Sequence, residues 1–388
     1  MGIIFSSFNG LEDRLPYIKF STCQWLQKNF SDLFAILGNN THSRAELTNC
    51  GTIKNIHYGD ILIKFGNILD ASQAEIPYLC ENCKYKNEYM QDGDIIIADT
   101  AEDYTAGKCT ELFNVGSSKI ISGLHTIPCR PKIKFAQKYL GYYTNSPAYR
   151  HQLLSLLQGI KVYSISKTNL SNTHISYPSL PEQQKIANFL FLVDARIEKQ
   201  RQLVESLKKY KRGALSRVFN DVLETVKLSD ISNFISSART LSTTLNGNKG
   251  IYPVYDAAGI AGYIDYYDID SDYITIVKDG SGVGRLQKCD KKSSFIGTLG
   301  ALVAKNCTTD FLYAVLQTID FSKFVTGMAI PHIYYRDYKS TLLPFPSEEK
   351  QHFISQLFKK FDIHIENETQ KLTNMLAYKQ GLLQQMFI

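Results

Sequence analysis

The sequence predicts an α/β protein: two α/β domains separated by two long helices, which pair as an antiparallel intramolecular coiled coil with a pseudo-two-fold repeat. Three observations lead there. A shift of 168 residues superposes Pro178–Phe219 on Pro346–Phe387 without a gap. Apolar residues inside both copies recur at three- and four-residue steps, the period of a helix. The segments between are short β-branched and aromatic runs broken by glycine and aspartate, the pattern of strands and turns.

In chain order, residues 1–24 form an N-terminal arm and residues 25–177 a first α/β domain. Asp94-Ile95-Ile96-Ile97-Ala98, following Asp92-Gly93, reads as a strand, and Ala136–Leu157 as a closing helical stretch. Residues 178–221 are the first copy of the repeat. Its start, Ser179-Leu180-Pro181-Glu182, has the form of a capping box, with Ser179 at the N-cap and Glu182 reaching back. The expected seam is Ile186, Phe189, Val193, Ile197, Val204, Leu207, Tyr210 and Ala214. Residues 222–345 form a second α/β domain, with a strand at Tyr273–Val277 before Asp279-Gly280 and a helical stretch at Asp310–Phe324. Residues 346–388 are the second copy, opened by Ser347, with its seam at Ile354, Leu357, Phe361, Ile365, Leu372, Met375, Tyr378 and Leu382.

The matched pairs include Gln183/Gln351, Asp194/Asp362, Tyr210/Tyr378, Lys211/Lys379 and Phe219/Phe387, with Gln200 and Glu368 as matching polar interruptions of the seam. The shift also aligns Gly159 with Gly327 and Ile165 with Ile333, so the repeat begins before the helices. A helix of roughly 38 residues is roughly 57 Å long and cannot bury a narrow seam alone. Two from one chain can bury each other.

A hydrophobic content of 44% with 21% charged residues in 388 residues describes a globular chain rather than a disordered one. Apolar runs fall short of the roughly 18 residues of a membrane span, and a cytoplasmic, non-membrane protein is expected. Met1-Gly2-Ile3-Ile4-Phe5-Ser6 matches the short myristoylation pattern, which reads as a chance match. The eight cysteines, at 23, 50, 80, 83, 109, 129, 289 and 307, are expected as reduced thiols. Cys80-x-x-Cys83 has metal-ligand spacing, but neither a second CxxC nor an HxxxH comes after it, so no metal is expected. Cys109 and Cys129 are the residues that would complete a set. Net charge is +6, which permits an anionic partner without requiring one.

The helical copies resemble the conserved regions of type I restriction–modification specificity subunits. The residues that carry this are Leu180-Pro181-Glu182-Gln183-Gln184-Lys185-Ile186-Ala187, Leu207-Lys208-Lys209-Tyr210-Lys211-Arg212-Gly213-Ala214-Leu215 and Tyr378-Lys379-Gln380-Gly381-Leu382-Leu383-Gln384-Gln385-Met386-Phe387. Leu15-Pro16-Tyr17-Ile18-Lys19-Phe20 with Trp25 resembles the usual family start, and Tyr252–Asp256 and Lys278–Gly282 resemble patterns of its recognition domains. The resemblance spans essentially the whole chain. Ser347-Glu348-Glu349-Lys350-Gln351 departs from it, replacing the Leu-Pro-Glu-Gln form of the first copy.

The resemblance implies that 25–177 and 222–345 are target-recognition domains, each reading one half of a bipartite double-stranded DNA target. The helices would set the spacer and dock two modification (methyltransferase) subunits that methylate adenine, and restriction (translocase/nuclease) subunits would join. S-adenosylmethionine, ATP and Mg are then expected on partner subunits and no cofactor on this chain. A related methyltransferase or nuclease system, or a coiled-coil DNA-binding regulator, remain the alternatives.

DNA reading needs cations for phosphates and a few polar or aromatic side chains for base edges. In the first domain the densest set is Arg130, Lys132 and Lys134, with Lys119, His125 and Arg150 nearby in sequence. In the second it is Lys278, Arg285, Lys288, Lys291 and Lys292 around Gly280-Ser281-Gly282-Val283-Gly284. That run lacks the Gly-Lys-Ser/Thr ending of a phosphate-binding P-loop and reads as a tight turn bringing backbone amides near DNA. The loop Gly327–His332 with Tyr334, Tyr335 and Arg336 offers donors and stacking faces, and the repeat places Gly159–Ser166 in the same position. The basic face of the first helix reads as solvated, or as lying along DNA or an acidic partner.

Catalytic readings fail on specifics. An adenine methyltransferase needs an Asn/Asp-Pro-Pro-aromatic motif, and the chain contains no Pro-Pro pair. A nuclease reading of Asp337, Glu348 and Lys350 places two of the three in a helix-capping turn. No catalytic residue is expected in this chain.

Overall fold

The computed structural model describes residues 24–240, 244–245, 250–327 and 330–387. The expected arm up to Cys23, with the myristoylation pattern and Leu15–Phe20, lies outside the described residues, as do Met328 and Ala329. The chain folds as two compact units: residues up to Glu198 with those from Asn374 onward, and Lys199–Thr373.

In the first unit the β-branched run Ile95–Ala98 is buried on both faces, as a central strand requires. It lies in a five-stranded sheet, ordered Phe34–Ile36, Thr126–Pro131, Ile95–Ala98, Cys109–Phe113, Ile68–Asp70. Only the last pair is parallel, with Ile68 opposite Glu111. A four-stranded sheet runs Lys119–Ser122, Ile53–Ile56, Tyr78–Leu79, Leu47–Thr48. The expected helix over Ala136–Leu157 is two helices, Tyr139–Tyr143 and Pro147–Leu154. Pro147 has no N–H to continue the first, and Ser146 caps the second through Tyr149 N–H. Glu111, buried and raised to about 7 by that burial, accepts the N–H groups of Lys138 (2.6 Å) and Gly141 (2.8 Å) and so seats the first helix on the sheet.

The second unit repeats the core of that sheet. Its four-stranded sheet runs Ser232–Ser236, Leu299–Ala304, Tyr273–Val277, Leu286–Cys289, all antiparallel. The strand order matches the first four strands of the five-stranded sheet. A three-stranded sheet, Gly259–Ile264, Tyr252–Asp256, Ser294–Phe295, packs beside it. Thr308 caps the helix Thr309–Leu316.

The long helices are Leu180–Asn220 and Glu348–Met386, and within each unit their segments run antiparallel. Both starts use the same device. Gln183 Nε2 donates to the Pro178 carbonyl (2.8 Å), and Gln351 Nε2 donates to that of Pro346 (2.9 Å). Glu182 turns to Lys185 (3.4 Å), so the side chain that secures the first turn is Gln183 rather than the expected capping glutamate.

The polar residues of the repeat meet one another. In the first unit Lys379 pairs with Asp194 at 2.5 Å, and in the second Lys211 pairs with Asp362 at 2.5 Å. These are the same two positions of the repeat with the helices exchanged. Gln200 Nε2 donates to the carboxylate (2.7 Å) and carbonyl (2.9 Å) of Glu368, its own repeat partner. The ends match too. Phe387 packs edge-on to Tyr139 and Tyr143 in the first unit, and Phe219 edge-on to Phe311 in the second.

Ile186, Val193, Ile197, Val204 and Ile354 are buried as the seam requires, with Leu207, Phe361, Ile365, Leu372 and Met375 half-buried. Tyr210 and Tyr378 are more exposed than the expected seam requires, 67% and 38%, although the Tyr210 ring packs on Phe361 of the other helix at 5.7 Å. A helix of 3.6 residues per turn drifts relative to a seven-residue pattern, and the inward position at this level is the next residue, lysine in both copies. The Lys211 ammonium lies 5.6 Å from the Tyr313 ring centroid and that of Lys379 5.7 Å from the centroid of Tyr142, within cation–π range. Ile186→Ala or Ile354→Ala should therefore cost about 2–5 kcal/mol of stability, and Tyr210→Ala or Tyr378→Ala less than about 1 kcal/mol, measured by chemical denaturation.

Candidate nucleic-acid interface

Each unit gathers three loops at one end of its main sheet, and the same backbone bonds tie them. In the first unit Asp99 follows the strand Ile95–Ala98. Its N–H donates to the His125 carbonyl (3.1 Å), and its carbonyl accepts from Ile165 N–H (2.8 Å). In the second unit Lys278 follows Tyr273–Val277. Its N–H donates to the Thr298 carbonyl (2.8 Å), and its carbonyl accepts from Ile333 N–H (2.9 Å). The third loop is closed alike in both. Gln158 and Ser164 exchange two backbone bonds, as do Thr326 and His332.

Glycine is required just inside each closure. Gly159 has φ 122° and Gly327 φ 89°, and a Cβ would run into the carbonyls of Val162 and Ile330 respectively. Side chains of both loops are presented outward: Ile160 is 92% exposed beside exposed Lys161, and Ile330 is exposed as well. The sharp turn thus sets side chains on a rim fixed by the sheet beneath it.

The second rim assembles residues from two distant stretches of sequence. Gly280 N–H donates to the Pro331 carbonyl (2.9 Å), joining the glycine-rich turn to the loop after Gly327. The Ile333 N–H bond to the Lys278 carbonyl and the Asp279–His332 bridge set Lys278 and Arg285, on the turn, beside the stretch that carries His332, Tyr334 and Arg336. The Arg336 side chain is 75% exposed with its guanidinium carbon 4.7 Å from the Tyr334 ring centroid, and His332 stands edge-on to the same ring. Arg285 donates to the Ala257 carbonyl. This cluster of cations and a flat exposed ring has the chemistry that phosphates and bases demand.

Other expected residues lie elsewhere. Tyr335 stacks on Phe234 at 4.4 Å and 5° and belongs to the packed interior. Lys288 forms an ion pair with Asp310 and faces the helix Thr309–Leu316. Lys291 and Lys292 are exposed past the far end of the strand Leu286–Cys289, away from the rim. The glycine-rich turn is a strand-to-strand connection, as expected. Its amides are spent internally, however: those of Gly280, Val283, Gly284 and Arg285 donate to protein carbonyls, correcting the expectation that they approach DNA.

In the first unit the basic cluster lies at the end of its strand opposite the rim. Thr126–Pro131 starts at the rim and runs roughly 17 Å away at about 3.3 Å per residue, so Arg130, Lys132 and Lys134 sit at its far end. Arg130 is committed there. It grips Asp94 through two bonds (3.0 and 2.8 Å), Glu88 at 2.7 Å and the Tyr89 carbonyl at 2.9 Å, and the Asp94 carboxylate raises its pKa further. Lys132 donates to the Ser31 carbonyl (2.7 Å), and Lys134 is exposed. Arg150 is half-buried, its pKa lowered by that burial, and holds the carbonyls of Ala106 (2.8 Å) and Tyr104 (2.5 Å). Lys119 is exposed at the start of Lys119–Ser122, whereas the rim lies beyond that strand's other end. Of the first-domain candidates, His125 alone is on the rim, 3.3 Å from Asp99 and edge-on to Tyr58.

Lys161 and Tyr104 are the rim residues that charge density did not pick out; Tyr104 is exposed and packs on Tyr163 at 4.5 Å. The signal for Lys161 was present in the repeat, which aligns Gly159–Ser166 with Gly327–Tyr334.

The cysteines also differ from expectation. Cys80 and Cys83 form a disulfide, because the turn that returns Cys83 N–H to the Cys80 carbonyl (3.1 Å) brings their Cα atoms to 5.3 Å. Cys109 and Cys129 are buried in the five-stranded sheet, where burial pushes both thiols up, Cys109 to about 12. Among the described residues, no helix is long and apolar enough to cross a membrane.

Comparison with known proteins gives these features a family. The model of the type I restriction modification DNA specificity domain matches residues 24–209 and again 220–376. A type I specificity subunit of Mycoplasma pneumoniae is 28% identical over 151 residues, 37% of this chain and 49% of that protein. The Escherichia coli EcoprrI specificity subunit is 26% identical over 115 residues, 29% of this chain and 28% of that one. The chain thus matches about half or less of the length of these relatives. In fold it is similar to the crystal structure of a type I restriction–modification S subunit from M. genitalium, with a TM-score of 0.59 and 15% identity, covering 97% of this chain and 99% of that one. A type I restriction–modification structure described for complex assembly and conformational transition gives a TM-score of 0.53 at 16% identity, covering 95% and 98%. With two matches that together take in most of the sequence, the chain belongs to the type I restriction modification DNA specificity family.

Proposed function

We propose that this chain is the DNA-reading specificity subunit of a type I restriction–modification assembly, with each three-loop rim reading one half of a bipartite double-stranded target. The observation that carries this reading is the duplication of the rim: the same three backbone ties hold outward-facing loops in both units, each with exposed cationic and aromatic side chains. Lys278, Arg285, His332, Tyr334 and Arg336 serve the second half-site, and His125, Lys161 and Tyr104 the first. Residues 25–177 and 222–345 are the recognition domains in this reading, with 178–221 and 346–388 the helical regions.

The helices set the spacer between half-sites and dock two modification subunits, with restriction subunits joining them in the cytoplasm. Leu192, Leu203, Phe353 and Ile363, large apolar side chains left exposed on the helices, suit such docking. Methyl transfer, translocation and cleavage, with their S-adenosylmethionine, ATP and Mg, belong to those partners.

Binding of the assembled methyltransferase to its target, measured against salt, tests the rim. Arg336→Ala and Lys278→Ala should each weaken binding roughly tenfold, Lys278→Ala also reducing the salt slope by about one, whereas Lys291→Ala should do neither. Equal losses from Lys291→Ala would place the interface elsewhere. Inserting seven residues at equivalent positions of both helices adds about 10.5 Å, roughly three base pairs, to the preferred spacer. An unchanged spacer would refute the role given to the helices.

A further inference from the structure

The first unit contains a ligand set unrelated to its rim. His42, Glu46 and Cys83 place one ligand atom each within 4.8 Å of one another, and Cys80 adjoins Cys83. These residues come from two segments joined by strand pairing: Leu47–Thr48, just after Glu46, lies antiparallel to Tyr78–Leu79, just before Cys80. Cys80 N–H donates to the Glu46 carbonyl (3.1 Å), which ties the two segments beside the side chains.

The surroundings orient these groups as a metal's outer partners do. His42 Nε2 lies 3.1 Å from the Lys84 carbonyl, its natural donor position, and this leaves Nδ1 facing Glu46 Oε1 at 2.8 Å. The other Glu46 oxygen is held by Ser43, through its N–H (2.7 Å) and hydroxyl (3.0 Å). One imidazole nitrogen, one carboxylate oxygen and the Cys83 sulfur thereby lie within 4.8 Å of one another, with the Cys80 sulfur joined to that of Cys83. Four ligands of this mixture suit tetrahedral zinc.

There is also a structural need. The 15 residues between Leu79 and Ile95 contain no strand or helix, and uninterrupted loops of that length are uncommon without a fastening. Arg130 and Asn87 secure its later part, Asn87 by donating to the Asn39 carbonyl (2.8 Å). The ligand cluster sits at its start.

We infer that the reduced form of this protein binds one zinc ion through His42, Glu46, Cys80 and Cys83, fastening the loop after Leu79 to the segment around Glu46. The disulfide is the oxidised alternative. A two-electron thiol reductant cleaves the S–S bond, giving two protein thiols and its own disulfide, and zinc binding then releases two protons from the thiols. No second cysteine pair downstream of Cys83 is needed, because the other two ligands precede Cys80 in the chain as His42-x-x-x-Glu46.

Cobalt substitution tests this on the full chain, with both thiols first shown by mass to be reduced. About one Co2+ per chain should bind, with sulfur-to-cobalt charge transfer and the visible bands of a tetrahedral site, and one Zn2+ should displace it. Cys83→Ser should abolish the charge-transfer band. His42→Ala and Glu46→Gln should weaken zinc binding at least tenfold with circular dichroism unchanged. Hydrogen exchange over residues 80–92 should slow on adding zinc to the wild-type chain. Absence of the band in the reduced chain, its survival in Cys83→Ser, or unaltered affinity in both His42→Ala and Glu46→Gln would each overturn the assignment.

Discussion

Two long helices with polar residues in their seam are stable only in a register that pairs those residues with one another. Lys211 is buried with its ammonium between Asp362 and the Gln317 side chain, and Lys379 meets Asp194 and the Tyr142 ring. Sliding either helix by one turn would leave a lysine against apolar side chains, at a desolvation cost that packing does not return. Gln200 and Glu368 add the same constraint where they meet. The apolar seam supplies adhesion, and these polar pairs supply the register.

That register determines the domain contacts. Phe219 and Phe387 end their helices against equivalent aromatic residues, Phe311 in one unit and Tyr143 in the other. Each main sheet then carries a rim whose loops hang on a single residue, Asp99 or Lys278, that donates to one loop and accepts from another. Side chains can vary on such a frame without disturbing it, because the ties are backbone groups. A protein that must present different reading surfaces on a constant scaffold benefits from that division.

Much of this was legible in the sequence where the repeat has a constant offset. The helices, their polar interruptions and the glycine of the third loop all fall where a single shift places them. Upstream of Tyr143 insertions alter the offset, and the correspondence of Asp99 with Lys278 emerges only from the hydrogen bonds. Charge density along the chain was a poor guide to the residues that form the rim of the first unit. Arg130 and Arg150 are basic because Asp94 and the Tyr104–Ala106 turn need them, and a strand carries Lys132 and Lys134 away from the rim. In the second unit Lys278 and Arg285 flank the turn that itself forms the rim. Tyr210 and Tyr378 lie at the edge of the seam for a geometric reason: in a straight helix the seam drifts by a residue.

The central claim is that each rim reads its own half of the target. Methylome sequencing of a host carrying this chain and its methyltransferase partner, with wild-type and Arg336→Ala chains compared, tests it most directly. Arg336→Ala should relax the methylated motif in one half only and leave the other half and the spacer intact. An unchanged motif at undiminished methylation, or equal relaxation of both halves, would contradict it.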